Sequence, residues 1–167
     1  ALERLSKCKN IPGRIEYFGG GNNPQIIVDY AHTSDALAQI LQTLKSQCHG
    51  KLYCVFGCGG DRDQGKRSQM GAVAQQYADV VVLTNDNPRY EDPDSIIQDI
   101  KEGIQNHSNI NIETDRETAI VKTIAESTKS DIVLIAGKGH ELYQEINGVH
   151  HPFSDQDIVC RALESNE

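Results

Sequence analysis

Ile132-Val133-Leu134-Ile135-Ala136-Gly137-Lys138-Gly139-His140-Glu141 decides how the rest of the chain is read. Five apolar residues without alternation predict a strand covered on both faces, as in parallel sheets. The polar, glycine-rich run that follows predicts a loop at the strand's carboxyl end. The same pattern recurs at Lys51 to Phe56, followed by Gly57-Cys58-Gly59-Gly60-Asp61-Arg62, and at Val80 to Leu83, followed by Asn85 to Asp92.

Helical signals separate these strands. Thr33 or Ser34 caps a helix with Leu37, Ile40, Leu41 and Leu44 on one face. Met70, Val73, Ala74 and Tyr77 mark a second, and Ile97, Ile100 and Ile104, after Pro93, a third. Thr114 or Asp115 caps a fourth, with Ala119, Ile120, Thr123 and Ile124 inward; Ile158, Val159, Ala162 and Leu163 make a last one behind Ser154. Arg14 to Phe18, Gln25 to Val28 and Asn109 to Ile112 predict further strands, and Asn147-Gly148 the turn of a terminal hairpin. The fold class is therefore α/β: a Rossmann-like, doubly wound, mostly parallel sheet with helices on both faces and a C-terminal hairpin. At 167 residues it reads as one domain.

Sixteen Lys and Arg against 24 Asp and Glu leave a net charge of −8, which argues against a sequence-independent nucleic-acid binder. No apolar run approaches the roughly 20 residues of a membrane-spanning helix. Ala1 to Asn10 carry no signal-peptide core, and five cysteines at irregular spacing read as reduced, cytoplasmic thiols. Cys54 and Cys58 lack the second ligand pair that zinc needs, so no metal site is expected.

Ligands of such sheets bind beyond the strands' carboxyl ends. Gly57 to Arg62 begins like the dinucleotide fingerprint but ends on Arg62, where a small residue is required, which disfavours a nicotinamide dehydrogenase. Gly60 to Lys66 begins like a P-loop, but Arg67 replaces the hydroxyl that would hold Mg²⁺. The chain thus holds no complete ATP-hydrolysing site. The plain alternative for this loop puts Arg62, Lys66 and Arg67 on a solvated rim. Arg89, on a short loop braced by Pro88, is suited to gripping a carboxylate in bidentate fashion, and Arg62, from the neighbouring strand end, is expected to face the same cleft; the plain alternative pairs Arg89 with Glu91 or Asp92. Glu141 is suited to accepting from an ammonium. His140 is a candidate general base or a loop histidine bonded to backbone. Asp29-Tyr30-Ala31-His32-Thr33 suits a ribose or phosphates.

Pro12-Gly13-Arg14, Asp29 to Thr33, Phe56 to Asp63, Lys66-Arg67, Asp86-Asn87-Pro88-Arg89 and Ala136 to Glu141 occur in one order. Together they make the chain similar, from about Pro12 to about Leu163, to the C-terminal domain of the diaminopimelate-adding Mur ligases of peptidoglycan biosynthesis. The resemblance implies an ATP-dependent reaction that joins meso-diaminopimelate to the D-glutamate of a UDP-muramoyl dipeptide through an acyl phosphate. It implies that Arg62, Asp86, Asn87, Pro88, Arg89, Gly137 and Glu141 bind meso-diaminopimelate, and that Arg14, Asp29 and His32 touch ATP. ATP with Mg²⁺ would be held mainly by a central ATPase domain, with residues 1–11 leading in from it, and this domain alone would be inactive. Neither nucleic acid nor membrane is an expected partner. Three departures from the family pattern are Ser34 in place of Pro, Ser68-Gln69 in place of Pro-Leu, and Tyr90 in place of Thr. Another Mur-type or folylpolyglutamate-type ligase, or an amino-acid or nucleotide binding module without chemistry, are the alternatives.

Overall fold

Glu16–Gly19 (β1), Gln25–Asp29 (β2), Leu52–Phe56 (β3), Val80–Leu83 (β4), Ile110–Ile112 (β5) and Ile132–Ala136 (β6) form one sheet in the order β1-β2-β6-β3-β4-β5. The computed structural model describes residues 13–165. Pro12, Cys8 and the expected lead-in over 1–11 lie outside the described residues. Every pairing in the sheet is parallel except β1 with β2. Tyr143–Ile146 (β7) and Val149–Pro152 (β8) pair separately as the expected hairpin. The helices are Ser34–Gln47 (α1), Gly65–Tyr77 (α2), Pro93–Lys101 (α3), Arg116–Glu126 (α4) and Asp155–Glu164 (α5).

Alternate residues of each central strand face opposite sides of the sheet. Ile27, Cys54, Phe56, Leu83 and Leu134 pack against Leu37 and Leu41 of α1, Met70 and Ala74 of α2, and Ile97 and Ile100 of α3. Ile26, Val55, Val82, Val133 and Ile135 pack against Ile120 and Ile124 of α4 and Ile158 and Val159 of α5. Right-handed crossovers account for this division. Three of them carry the chain from β2 across to β5 over one face. The fourth, α4, returns over the other and inserts β6 between β2 and β3.

Local signals set most boundaries. The side chains of Thr33, Asp92, Asp115 and Ser154 each accept a backbone N–H three residues on, which caps α1, α3, α4 and α5. Ser34, the alternative cap, is instead the first helical residue of α1. Helix α2 has no side-chain cap. Strand β1 starts at Glu16 because Ile15 has φ 46°, outside the extended region. Ile104 is buried but lies beyond the end of α3. Among the described residues no helix is long and apolar enough to cross a membrane.

Candidate functional site

Neighbouring β3 and β6 send the chain to opposite faces of the sheet, β3 into α2 and β6 through the hairpin into α5. Their carboxyl ends therefore open a crevice. A cleft of about 430 Å³ occupies it, lined by Arg62, Asp86, Asn87, Arg89, Gly137, Glu141 and His32 among others. Those expected site residues come from four loops that the sequence keeps far apart. Pro88, Arg14 and Asp29 do not line the cleft.

Glycines let the loops meet. A Cβ on Gly60 would overlap the carbonyl oxygen of the buried Pro88. Gly137 has φ 113°, and a Cβ there would stand 2.9 Å from Asp86 Oδ2. Both positions need close backbone approach, which glycine alone permits without strain.

Behind the lining residues Asn87 and Glu141 lies Lys138, fully buried. Its Nζ donates to Asn87 Oδ1 at 2.9 Å and to Glu141 Oε2 at 3.2 Å, and stands 3.6 Å from Asp86 Oδ1. The rings of Tyr143 and Phe153 lie 5.8 Å away. Asn87 Nδ2 donates to the same Glu141 oxygen at 2.8 Å. Burial pushes the Asp86 carboxyl above the usual aspartate value, and the charges of Arg116 and Lys138 pull it part of the way back. Beneath, Arg116 forks onto Asp155 with both contacts at 2.9 Å and donates to the carbonyls of Ala136 and Asn85. The ends of β6 and β4 are thereby tied to the start of α5.

Arg89 carries the cation of the Asp-Asn-Pro-Arg loop. Its partner is Glu145 of β7, at 3.0 Å from Nε, and Nη1 donates to the Gly60 carbonyl at 2.7 Å. The alternative pairing with Glu91 or Asp92 is overturned. Asp92 caps α3, and Glu91 takes both terminal nitrogens of Arg67 at 2.8 and 2.9 Å. The solvated-rim reading also fails for Arg67, which is fully buried and further bonded to Asp99 and the Gly59 carbonyl. Arg62 is exposed, and Lys66 reaches the His32 carbonyl at 3.1 Å.

The other expected groups sit on one side. Arg14 lies 5.0 Å over the Tyr30 ring, and His32 Nδ1 is 2.8 Å from the Tyr30 carbonyl. Asp29 accepts from the amides of Ile15 at 2.9 Å and Ala31 at 2.7 Å, so its carboxylate is occupied by backbone. His140 is exposed against Tyr30 and does not line the cleft. Cys58 is buried at the cleft wall, and burial pushes its thiol up to about 12. It is no thiolate nucleophile at neutral pH.

Sequence reasoning missed Lys138, Arg67, Arg116 and Glu145. For Lys138 a signal was present: it lies two residues past a fully buried strand, between two glycines. Glu145 sits in an ordinary hairpin strand and carried none.

A family profile described as "Mur ligase, glutamate ligase domain" matches residues 13–139. The chain is 52% identical over 163 residues to a UDP-N-acetylmuramoyl-L-alanyl-D-glutamate–2,6-diaminopimelate ligase of Coxiella burnetii, covering 98% of this chain and 33% of the relative. A solved structure of a ligase of the same name superposes with a TM-score of 0.88 at 45% identity, over 99% of this chain and 34% of that one. A bifunctional folylpolyglutamate synthase/dihydrofolate synthase from Yersinia pestis shares the fold, with a TM-score of 0.63 at 21% identity, over 80% of this chain and 30% of that one. The chain spans about a third of the length of the curated relatives it matches. With three quarters of its residues inside the matched profile, the chain belongs to the Mur ligase family, as its glutamate ligase domain.

Proposed function

We propose that this domain binds meso-diaminopimelate and closes over ATP in an ATP-dependent ligase that extends UDP-N-acetylmuramoyl-L-alanyl-D-glutamate. The observation that carries the reading is one cleft holding opposite charges at two places: Arg89, Arg62 and the second Nδ2 hydrogen of Asn87 for carboxylates, Glu141 for an ammonium. Diaminopimelate is a double zwitterion and presents both groups at its distal end. Lysine lacks the distal carboxylate and leaves the remaining terminal N–H donors of Arg89 without that partner. A site built to pair a charged group discriminates against the analogue without it by on the order of 10⁴.

Asp86, Pro88 and Gly137 hold the shape of that cleft. Arg14, Asp29 and His32 form the side that meets ATP. Arg14 and His32 supply a cation and an imidazole suited to phosphate oxygens, while Asp29 fixes the backbone at Ile15 and Ala31. The donor set fits an outer contact to the nucleotide, with ATP and its Mg²⁺ held mainly by another domain. Phosphoryl transfer activates the glutamate carboxylate as an acyl phosphate. The amine attacks its carbonyl carbon, the C–O bond to phosphate breaks, and the nitrogen loses a proton. The cleft's part is to orient that amine and keep water from competing.

The test is phosphate release by the full-length protein with ATP and the UDP-muramoyl dipeptide. Release that depends on meso-diaminopimelate and not on L-lysine is expected. Release with lysine alone would overturn the specificity, and release with neither would favour a binding module without chemistry.

A further inference from the structure

Strand β7 and the turn that follows it are stitched to the Asp86–Arg89 loop. Gln144 Nε2 donates to the Asp86 carbonyl at 2.7 Å, and the Glu145 amide donates to Asn87 Oδ1 at 2.9 Å. The Arg89 amide donates to the Glu145 carbonyl at 3.0 Å, and the Asn147 amide to the Arg89 carbonyl at 2.7 Å. Arg89 itself has φ 53°, a left-handed conformation that a side-chain-bearing residue keeps only where its surroundings impose it. Those two main-chain bonds impose it here.

The guanidinium is fixed in the same way. Of its five N–H donors, Nε is taken by Glu145 Oε2 and one hydrogen of Nη1 by the Gly60 carbonyl. Among the described residues Nη2 has no partner. The donors left over belong to the two terminal nitrogens, on a residue that lines the cleft. We infer that Glu145 is a positioning residue: it locks Arg89 so that a ligand carboxylate is taken end-on, through the terminal nitrogens alone. A long side chain held at two points loses little freedom on binding its anion, and its planar fork admits one approach geometry.

This inference rests on the ligase reading above, and the experiment separates the two. In the full-length enzyme, Glu145→Ala is expected to raise the KM for meso-diaminopimelate about tenfold, the scale of one charge-assisted hydrogen bond. The kcat and the KM for ATP are expected to stay within about twofold, since only substrate positioning is lost. Glu145→Gln, whose amide oxygen still accepts from Nε, is expected to restore most of the affinity. An unchanged KM in Glu145→Ala overturns the inference, and a lowered one makes Glu145 a competitor of the substrate carboxylate. A rise in both KM values together, or no rescue by Gln, overturns it in favour of a general structural role. An unaltered enzyme without diaminopimelate-dependent phosphate release overturns the ligase reading itself, and this inference with it.

Discussion

Lys138 Nζ stands 2.9 Å from Asn87 Oδ1, so the loops after β6 and β4 share one buried ammonium. The same ammonium reaches Glu141, which Asn87 also contacts. Two of the groups proposed to read the amino acid are thus fixed by a third that the ligand need not touch.

Replacing that ammonium with an apolar side chain of similar length tests the arrangement. Lys138→Met leaves Glu141 without its cation and Asp86 with Arg116 alone, and removing one partner of a buried charge pair costs about 3–5 kcal/mol. A urea midpoint that falls accordingly is expected; an unchanged midpoint would show that the two carboxyls find other compensation.

Arg89→Ala in the full-length enzyme is expected to weaken use of meso-diaminopimelate by about 2–5 kcal/mol in kcat/KM, the scale of truncating one partner of a hydrogen-bonded charge pair. Arg89→Lys is expected to recover little, because a point charge cannot reproduce a guanidinium fork. Steady-state kinetics with varied diaminopimelate decide this, and unaltered constants would remove Arg89 from the recognition role.

Hydrogen bonding to Arg67 holds the Glu91 carboxyl below its usual value of 4.5. A depressed value means that the native state binds the proton less readily than the unfolded chain. The stabilisation is therefore present above 4.5 and is lost as pH falls through the lower, native value. Glu91→Gln is expected to cost about 1–3 kcal/mol near neutrality. The gap should close as both proteins are acidified below the usual carboxylate range. Denaturant melts across that range measure it, and a gap independent of pH would contradict the pairing.

Gly137→Ala places a methyl group against Asp86 in a backbone conformation that L side chains rarely adopt. A destabilisation of at least about 1 kcal/mol is expected. A melting temperature equal to that of the unaltered protein would show that the loop relaxes freely.

The order of strands and helices was legible along the chain, because period and capping are local. Unbroken apolar runs marked β3, β4 and β6 as doubly covered, and Thr33, Asp92, Asp115 and Ser154 sit where their helices begin. The polar loops that follow those strands pointed to the end of the sheet where the cleft opens. What the chain alone left open was which loops touch. Asn87 and Glu141 are 54 positions apart, and they meet because α4 inserts β6 beside β3. No periodicity encodes strand order.

The fates of the charged residues were decided in the same way. Arg67 and Arg116 lie in the first turns of α2 and α4 and Lys138 in a glycine-rich loop, and charged residues in such places are ordinarily exposed. A buried cation is tolerated only where distant carboxylates and carbonyls converge on it, as Glu91, Asp99 and Asp155 do here. The residue types along the chain set the kinds of charge available to the cleft. Only the tertiary structure determined which of them hold the loops and which, like Arg62 and the terminal nitrogens of Arg89, are proposed to meet a ligand.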